Sequence, residues 1–276
     1  MSSPRVFLSG PRPLAFAHRG GAALWPENTL PALEGAIALG FTHLETDVHV
    51  TRDGVLVVFH DDRLERTTNG YGFLRDHTFA ELERLDAGYW FSTDGRTRPF
   101  RGKGLSIPTL SRVFALDPSV RLNVEMKQSG VGLPRRLWEF IESEGLHDRI
   151  LVAAAEHGLG AEFRTLARGA VATGASAREV LEFWSSVKLG LSRQVPVRYD
   201  ALQVPVVYRG LRVVDRRFVR AAHARGLHVH VWTIDDPSEM RELAWLGVDG
   251  IMSDRPDLLR AALRGPEPHE LSPTNP

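Results

Sequence analysis

Residues 41–61, FTHLETDVHVTRDGVLVVFHD, read as two strands joined by a tight turn. The first arm alternates, with Glu45, Asp47 and His49 on one face and Leu44, Thr46 and Val48 on the other. Arg52-Asp53-Gly54 supplies the turn, because Asp-Gly tolerates the backbone angles of a hairpin. The second arm, residues 55–60, runs back. With Arg52-Asp53 as the loop, His60 falls opposite Glu45; with Asp53-Gly54, it falls opposite Asp47. Either register brings two carboxylates and one imidazole to the open end of the ribbon. Neighbouring acids repel, so a positive group belongs between them, and a divalent cation with oxygen ligands is the simplest one.

Outward from the ribbon, strand and helix patterns alternate. Strands are expected at 14–18, 42–48, 121–127, 150–154, 170–173, 200–205, 228–234 and 249–253, each followed by a helix. Eight βα units over roughly 250 residues predict an α/β fold closed as a TIM (β/α)8 barrel. An open doubly wound sheet has no Gly-rich dinucleotide fingerprint here to support it. Asn28 is read as the N-cap of the first helix, and Thr78 with Glu81 and Ser176 with Glu179 as capping boxes. Residues 62–106 break the repeat and form a small inserted subdomain after strand 2, with Tyr89, Trp90, Phe91 and Phe100 expected as its own core. Residues 1–13 are expected to be a loose leader, residues 14–264 the barrel, and residues 265–276 a disordered tail.

Composition narrows the chemistry. The 276 residues carry no net charge, so no global field favours nucleic acid or an anionic membrane. There is no cysteine, which removes thiolate metal sites and cysteine nucleophiles. No apolar run reaches the roughly 20 residues of a transmembrane segment, and no signal peptide is evident, so a cytoplasmic location is expected. The oligomeric state is left open.

Barrel chemistry sits at the carboxyl ends of the strands. His18 ends the first strand, Glu45 and Asp47 the second, Glu125 and Lys127 the third, and Trp232 lies near the end of the seventh. Glu45, Asp47 and Glu125 make a hard oxygen donor set suited to calcium or magnesium, with manganese a third candidate. Arg19 and Lys127 flank it as an oxyanion clamp for phosphate. His18 and His60 can exchange protons near neutral pH. Together these groups describe phosphodiester hydrolysis. Competing readings are simpler: Lys127 as a structural partner of Glu125, Trp232 as a core residue, and the remaining histidines without a role.

The runs AHRGGAALWPENTLPAL, ETDVHVTRDGVLVVFHDDRLERTTNGYG, LNVEMK, VHVWTIDD and GVDGIMSDRPD closely resemble the glycerophosphodiester phosphodiesterase family, a PI-PLC-like phosphodiesterase TIM barrel. They span residues 14–257 in family order. The resemblance implies hydrolysis of a small-molecule glycerophosphodiester to an alcohol and sn-glycerol 3-phosphate. It implies His18 and His60 as general acid and base, Glu45, Asp47 and Glu125 as ligands of calcium or magnesium, and Arg19 and Lys127 as phosphate contacts. Ala154-Ala155-Glu156 stands where the family often has Ser-Phe, and Asp235 where Asn is common; both concern the pocket wall and hence the alcohol. Lysophospholipase D-type cleavage of lysophospholipids is the alternative activity, and a non-catalytic phosphate-ester-binding barrel the second.

Overall fold

A computed structural model describes residues 5–264. In chain order the elements are β1 (Leu14–His18), α1 (Leu30–Ala38), β2 (His43–Val50), β3 (Leu56–Val58), α2 (Phe79–Leu82), α3 (Leu110–Phe114), β4 (Arg121–Met126), α4 (Leu133–Glu144), β5 (Ile150–Ala153), α5 (His157–Ala167), β6 (Ala172–Thr173), α6 (Ala177–Leu189), β7 (Ala201–Val204), β8 (Val207–Tyr208), β9 (Leu211–Arg212), α7 (Arg216–His223), β10 (His228–Val231), α8 (Pro237–Leu246), β11 (Gly250–Ser253) and α9 (Pro256–Arg264). The eight parallel strands run in the order β6-β5-β4-β2-β1-β11-β10-β7. A single bridge, Gly174 to Ala201, spans the seam between β6 and β7, so the barrel is nearly closed. The helices cover its outside through one continuous apolar layer, to which Leu33, Leu44, Val124, Leu137, Phe163, Phe218 and Val229 contribute. Burial of this layer is the main drive to fold. Both capping boxes form as the sequence predicts, at Thr78 with Glu81 and at Ser176 with Glu179.

The amino end of the barrel differs from expectation. Residues 6–8 form a short 3-10 helix in which Phe7 is 1% exposed, so this part of the supposed leader is packed rather than loose. Phe7 stacks on Phe16 and meets the edge of His43, whose Nε2 lies 3.1 Å from the Phe7 carbonyl. Phe16 in turn packs against His230. Gly250 makes room for this floor: a Cβ there would lie 2.7 Å from the His230 ring and 2.8 Å from Phe16. The tail expected beyond residue 264 lies outside the described residues.

The ribbon adopts neither of the two expected registers. Val48 pairs with Val58, His49 with Val57 and Val50 with Leu56, which centres the turn on Asp53 and aligns residue 60 with Thr46. Thr51 explains this. Its N–H donates to the Val55 carbonyl, its hydroxyl accepts from the Val55 N–H, and the same hydroxyl donates to Asp53. Asp53 also accepts from the Phe79 N–H, which ties the turn to the insert. The insert has its own small core of Leu64, Leu74, Leu82 and Ala87 against Val57, Phe59 and Ile107. Its aromatics are not that core. Tyr89, Phe91 and Phe100 are only half-buried and Trp90 is exposed; they pair edge-on, and Arg101 lies over Tyr89 and Trp90.

Candidate active site

Strand register decides which side chains meet. His18 at the end of β1 pairs with Glu45 on β2, and Asp47 on β2 pairs with Glu125 on β4. All four therefore reach the same carboxyl rim, on three adjacent strands. Oxygens of Glu45, Asp47 and Glu125 lie within 4.8 Å of one another. Glu45 and Asp47 are buried, whereas Glu125 is partly open to solvent.

Two cations answer three acids. Lys127 Nζ sits 2.8 Å from Glu125 and 3.1 Å from Asp47, and Arg19 Nε sits 3.2 Å from Asp47. Burial pushes the Glu45 carboxyl up to about 7, and the Asp47 charge adds to this. Burial also opposes ionisation of Asp47, but Lys127 and Arg19 outweigh it and hold that carboxyl below its usual value. Asp47 Oδ1 is buried, and the Lys127 ammonium faces it at 3.1 Å. Three carboxylates with oxygens this close together, two of them buried, fit a divalent cation, which would offset the repulsion between Glu45 and Asp47. The residues present thus suit such an ion.

The loop after β1 is built around this cluster. The Arg19 N–H donates to Glu45, and Asn28 N–H closes the loop onto the Arg19 carbonyl. Arg19 (φ 50°) and Asn28 (φ 58°) both take the left-handed conformation, which costs a non-glycine residue and so marks a constrained site. At Gly20 (φ 83°), a Cβ would fall 2.7 Å from the α1 backbone, so only glycine fits. Asn28 is not the expected helix cap; Thr29 holds that position. Instead Asn28 Nδ2 donates to Asp47 Oδ2 at 2.9 Å, and its oxygen accepts from Thr46 Oγ1.

Each histidine is held by an aspartate. His18 Nδ1 lies 2.6 Å from Asp254, and His60 Nδ1 2.5 Å from Asp61. An ionised carboxylate only accepts, so both imidazoles carry their proton on Nδ1 and offer Nε2 for proton transfer. His18 Nε2 faces Glu45 at 3.6 Å. Burial disfavours its imidazolium, but Glu45 and Asp254 together raise the His18 pKa above its ordinary value. His60 is also fixed from below, because His49 Nε2 lies 3.1 Å from its backbone carbonyl. Arg66 then joins the two halves of the site: it donates to both Asp61 and Glu27, and Glu27 accepts from Arg19.

The sequence-predicted residues His18, Arg19, Glu45, Asp47, Glu125 and Lys127 therefore converge, and the Phe59 N–H, bonded to the Asp47 carbonyl, sets His60 next to them in the chain. Trp232 stands on the same rim beside the end of β7, where its N–H donates to Val204. At 43% exposure it is not a core tryptophan. Sequence reasoning missed Asn28, Glu27, Asp61, Arg66 and Asp254 as partners. All five lie inside the quoted motifs, but a motif does not say which side chain meets which.

The glycerophosphoryl diester phosphodiesterase family model matches residues 18–258. The chain belongs to this family. A glycerophosphodiester phosphodiesterase of Caldanaerobacter subterraneus is 32% identical over 89% of this chain and 96% of its own. A probable glycerophosphodiester phosphodiesterase 2 of Mycobacterium tuberculosis is 35% identical over 91% of this chain and 90% of its own. Among solved structures, an Oleispira antarctica phosphodiesterase in complex with sn-glycerol-3-phosphate is 28% identical, with a TM-score of 0.71, covering 92% of this chain and 97% of that one. As a member of the family, the chain is a phosphodiester hydrolase with the family's TIM-barrel fold.

Proposed function

We propose that this enzyme hydrolyses small glycerophosphodiesters to an alcohol and sn-glycerol 3-phosphate, with Glu45, Asp47 and Glu125 holding a calcium or magnesium ion. The observation that carries the reading is the register that sets His18 beside Glu45 and Asp47 beside Glu125 on one rim. When bound, the ion would offset charge on the phosphoryl oxygens. Arg19 and Lys127 orient the phosphate from either side of the acids. One of the two imidazoles takes the proton of the attacking hydroxyl at Nε2, and the other returns a proton to the leaving alkoxide. Asp254 and Asp61 keep both rings in the tautomer and orientation this exchange needs. The glycerophosphate product of the Oleispira relative supports the same substrate class here.

The test is a panel of glycerophosphodiesters and lysophospholipids assayed with added calcium, magnesium or manganese and with EDTA. Soluble diesters should be cleaved, EDTA should abolish turnover, and His18→Ala or His60→Ala should each lower kcat by roughly 10²–10⁴-fold. Wild-type rates in both histidine variants would refute the assignment.

A further inference from the structure

The connection after β7 carries a feature separate from the acid cluster and the two histidine–aspartate pairs. Tyr208 pairs with Leu211 and Val207 with Arg212, and the turn between them, Arg209-Gly210, has φ of 48° and 80°. Two successive positive φ values make the tight turn that matches strand twist, so this is a rigid prong rather than a floppy loop. Its foot is anchored: Val213 N–H donates to Val206, and Val213 and Val214 are buried. Its tip is bare. Val207, Tyr208 and Leu211 are 54%, 56% and 58% exposed, and Arg209 lies over the Tyr208 ring.

We propose that this hairpin docks the enzyme onto an anionic phospholipid surface. Three large apolar side chains held in water on a stiff projection mark an interaction site. Residues 205–214, PVVYRGLRVV, contain two arginines and no acid, which complements lipid phosphate. Tyrosine and arginine suit the boundary between headgroup and chain, because each has an apolar body and a polar end. A protein partner fits less well: three side chains offer at most a few hundred Å², against the roughly 800 Å² per partner of a stable interface. The hairpin leaves the carboxyl end of β7, so docking turns the catalytic rim towards the lipid. This goes beyond the proposed reaction, and binding is measured without turnover, so either can fail while the other stands.

The experiment is co-sedimentation of the full chain with vesicles of phosphatidylcholine alone and of phosphatidylcholine mixed equally with phosphatidylglycerol. Wild type should pellet with the mixed vesicles and stay largely in the supernatant with the neutral ones. Tyr208→Ser/Leu211→Ser should weaken vesicle binding by roughly tenfold or more, while keeping the wild-type thermal midpoint, which shows that the fold is intact. Arg209→Glu should weaken binding to the mixed vesicles. Failure of wild type to bind either vesicle, or undiminished binding by the double variant, overturns the proposal. So does a wild-type dimer in sedimentation velocity that the double variant loses, since the prong would then be a protein contact.

Discussion

Asp254→Asn is the sharpest probe of the proton-transfer pair. The substitution keeps the shape of the side chain and removes its charge. Asp254 accepts from His18 Nδ1 at 2.6 Å, a charge-assisted bond to a ring that is 14% exposed. Bonds of this kind contribute about 1.5–3 kcal/mol. Loss of about 2 kcal/mol in the transition state corresponds to about a thirtyfold drop in kcat. KM should change little, since Asp254 acts through His18 and does not touch the phosphate. The fold should hold, because the Asp254 N–H and the Ser253 hydroxyl keep their bonds to Asp235. Steady-state rates on glycerophosphocholine give the first readout. The second is a double-mutant cycle: in a His18→Ala background the Asp254→Asn change should be almost silent. An undiminished kcat, or the same loss with and without His18, refutes the orienting role.

Acid should loosen the floor of the barrel. Burial lowers the His43 pKa to about 4 and pushes that of fully buried His230 well down. Both fold neutral, so the unfolded chain binds more protons below its ordinary histidine pKa, and stability falls as pH drops from about 6.5 towards the folded value. For His43 alone the loss between pH 7 and pH 5 is about 2 kcal/mol, and urea midpoints across that range should register it. Asn28→Ala removes two buried hydrogen bonds at Asp47 and Thr46, so it should cost about 2 kcal/mol and weaken calcium binding measured by titration calorimetry. Unchanged calcium affinity would detach Asn28 from the acid cluster. Gly250→Ala should overpack Phe16 and His230 and lower stability by about 1–3 kcal/mol, with thermal midpoint as the check.

The eight strands and their helices were legible because burial on both faces writes apolar runs and helix stripes directly into the sequence. The strand-end acids and His18 followed from the rule that barrel chemistry sits at one rim. The hairpin register was not legible, because it depends on Thr51 and Asp53 bonding across the turn and into the insert. The packing of Phe7 was hidden because three residues, VFL, carry no periodicity; only the floor they meet makes them core. Asn28 looked like a helix cap because Asn-Thr before an apolar stripe suits either residue as the cap. The aspartates behind the histidines sat in view, yet the tie between His18 and Asp254 spans 236 positions and belongs to tertiary structure alone.

That span has a bearing on synthesis. β1, which carries His18, is zipped to β11, the last of the barrel strands in chain order. A nascent chain can gather its three acids early, since β2 and β4 are neighbours, but His18 receives its aspartate only when the ring shuts. A polypeptide interrupted before residue 254 would therefore carry the acid cluster while His18 lacked the aspartate that orients it.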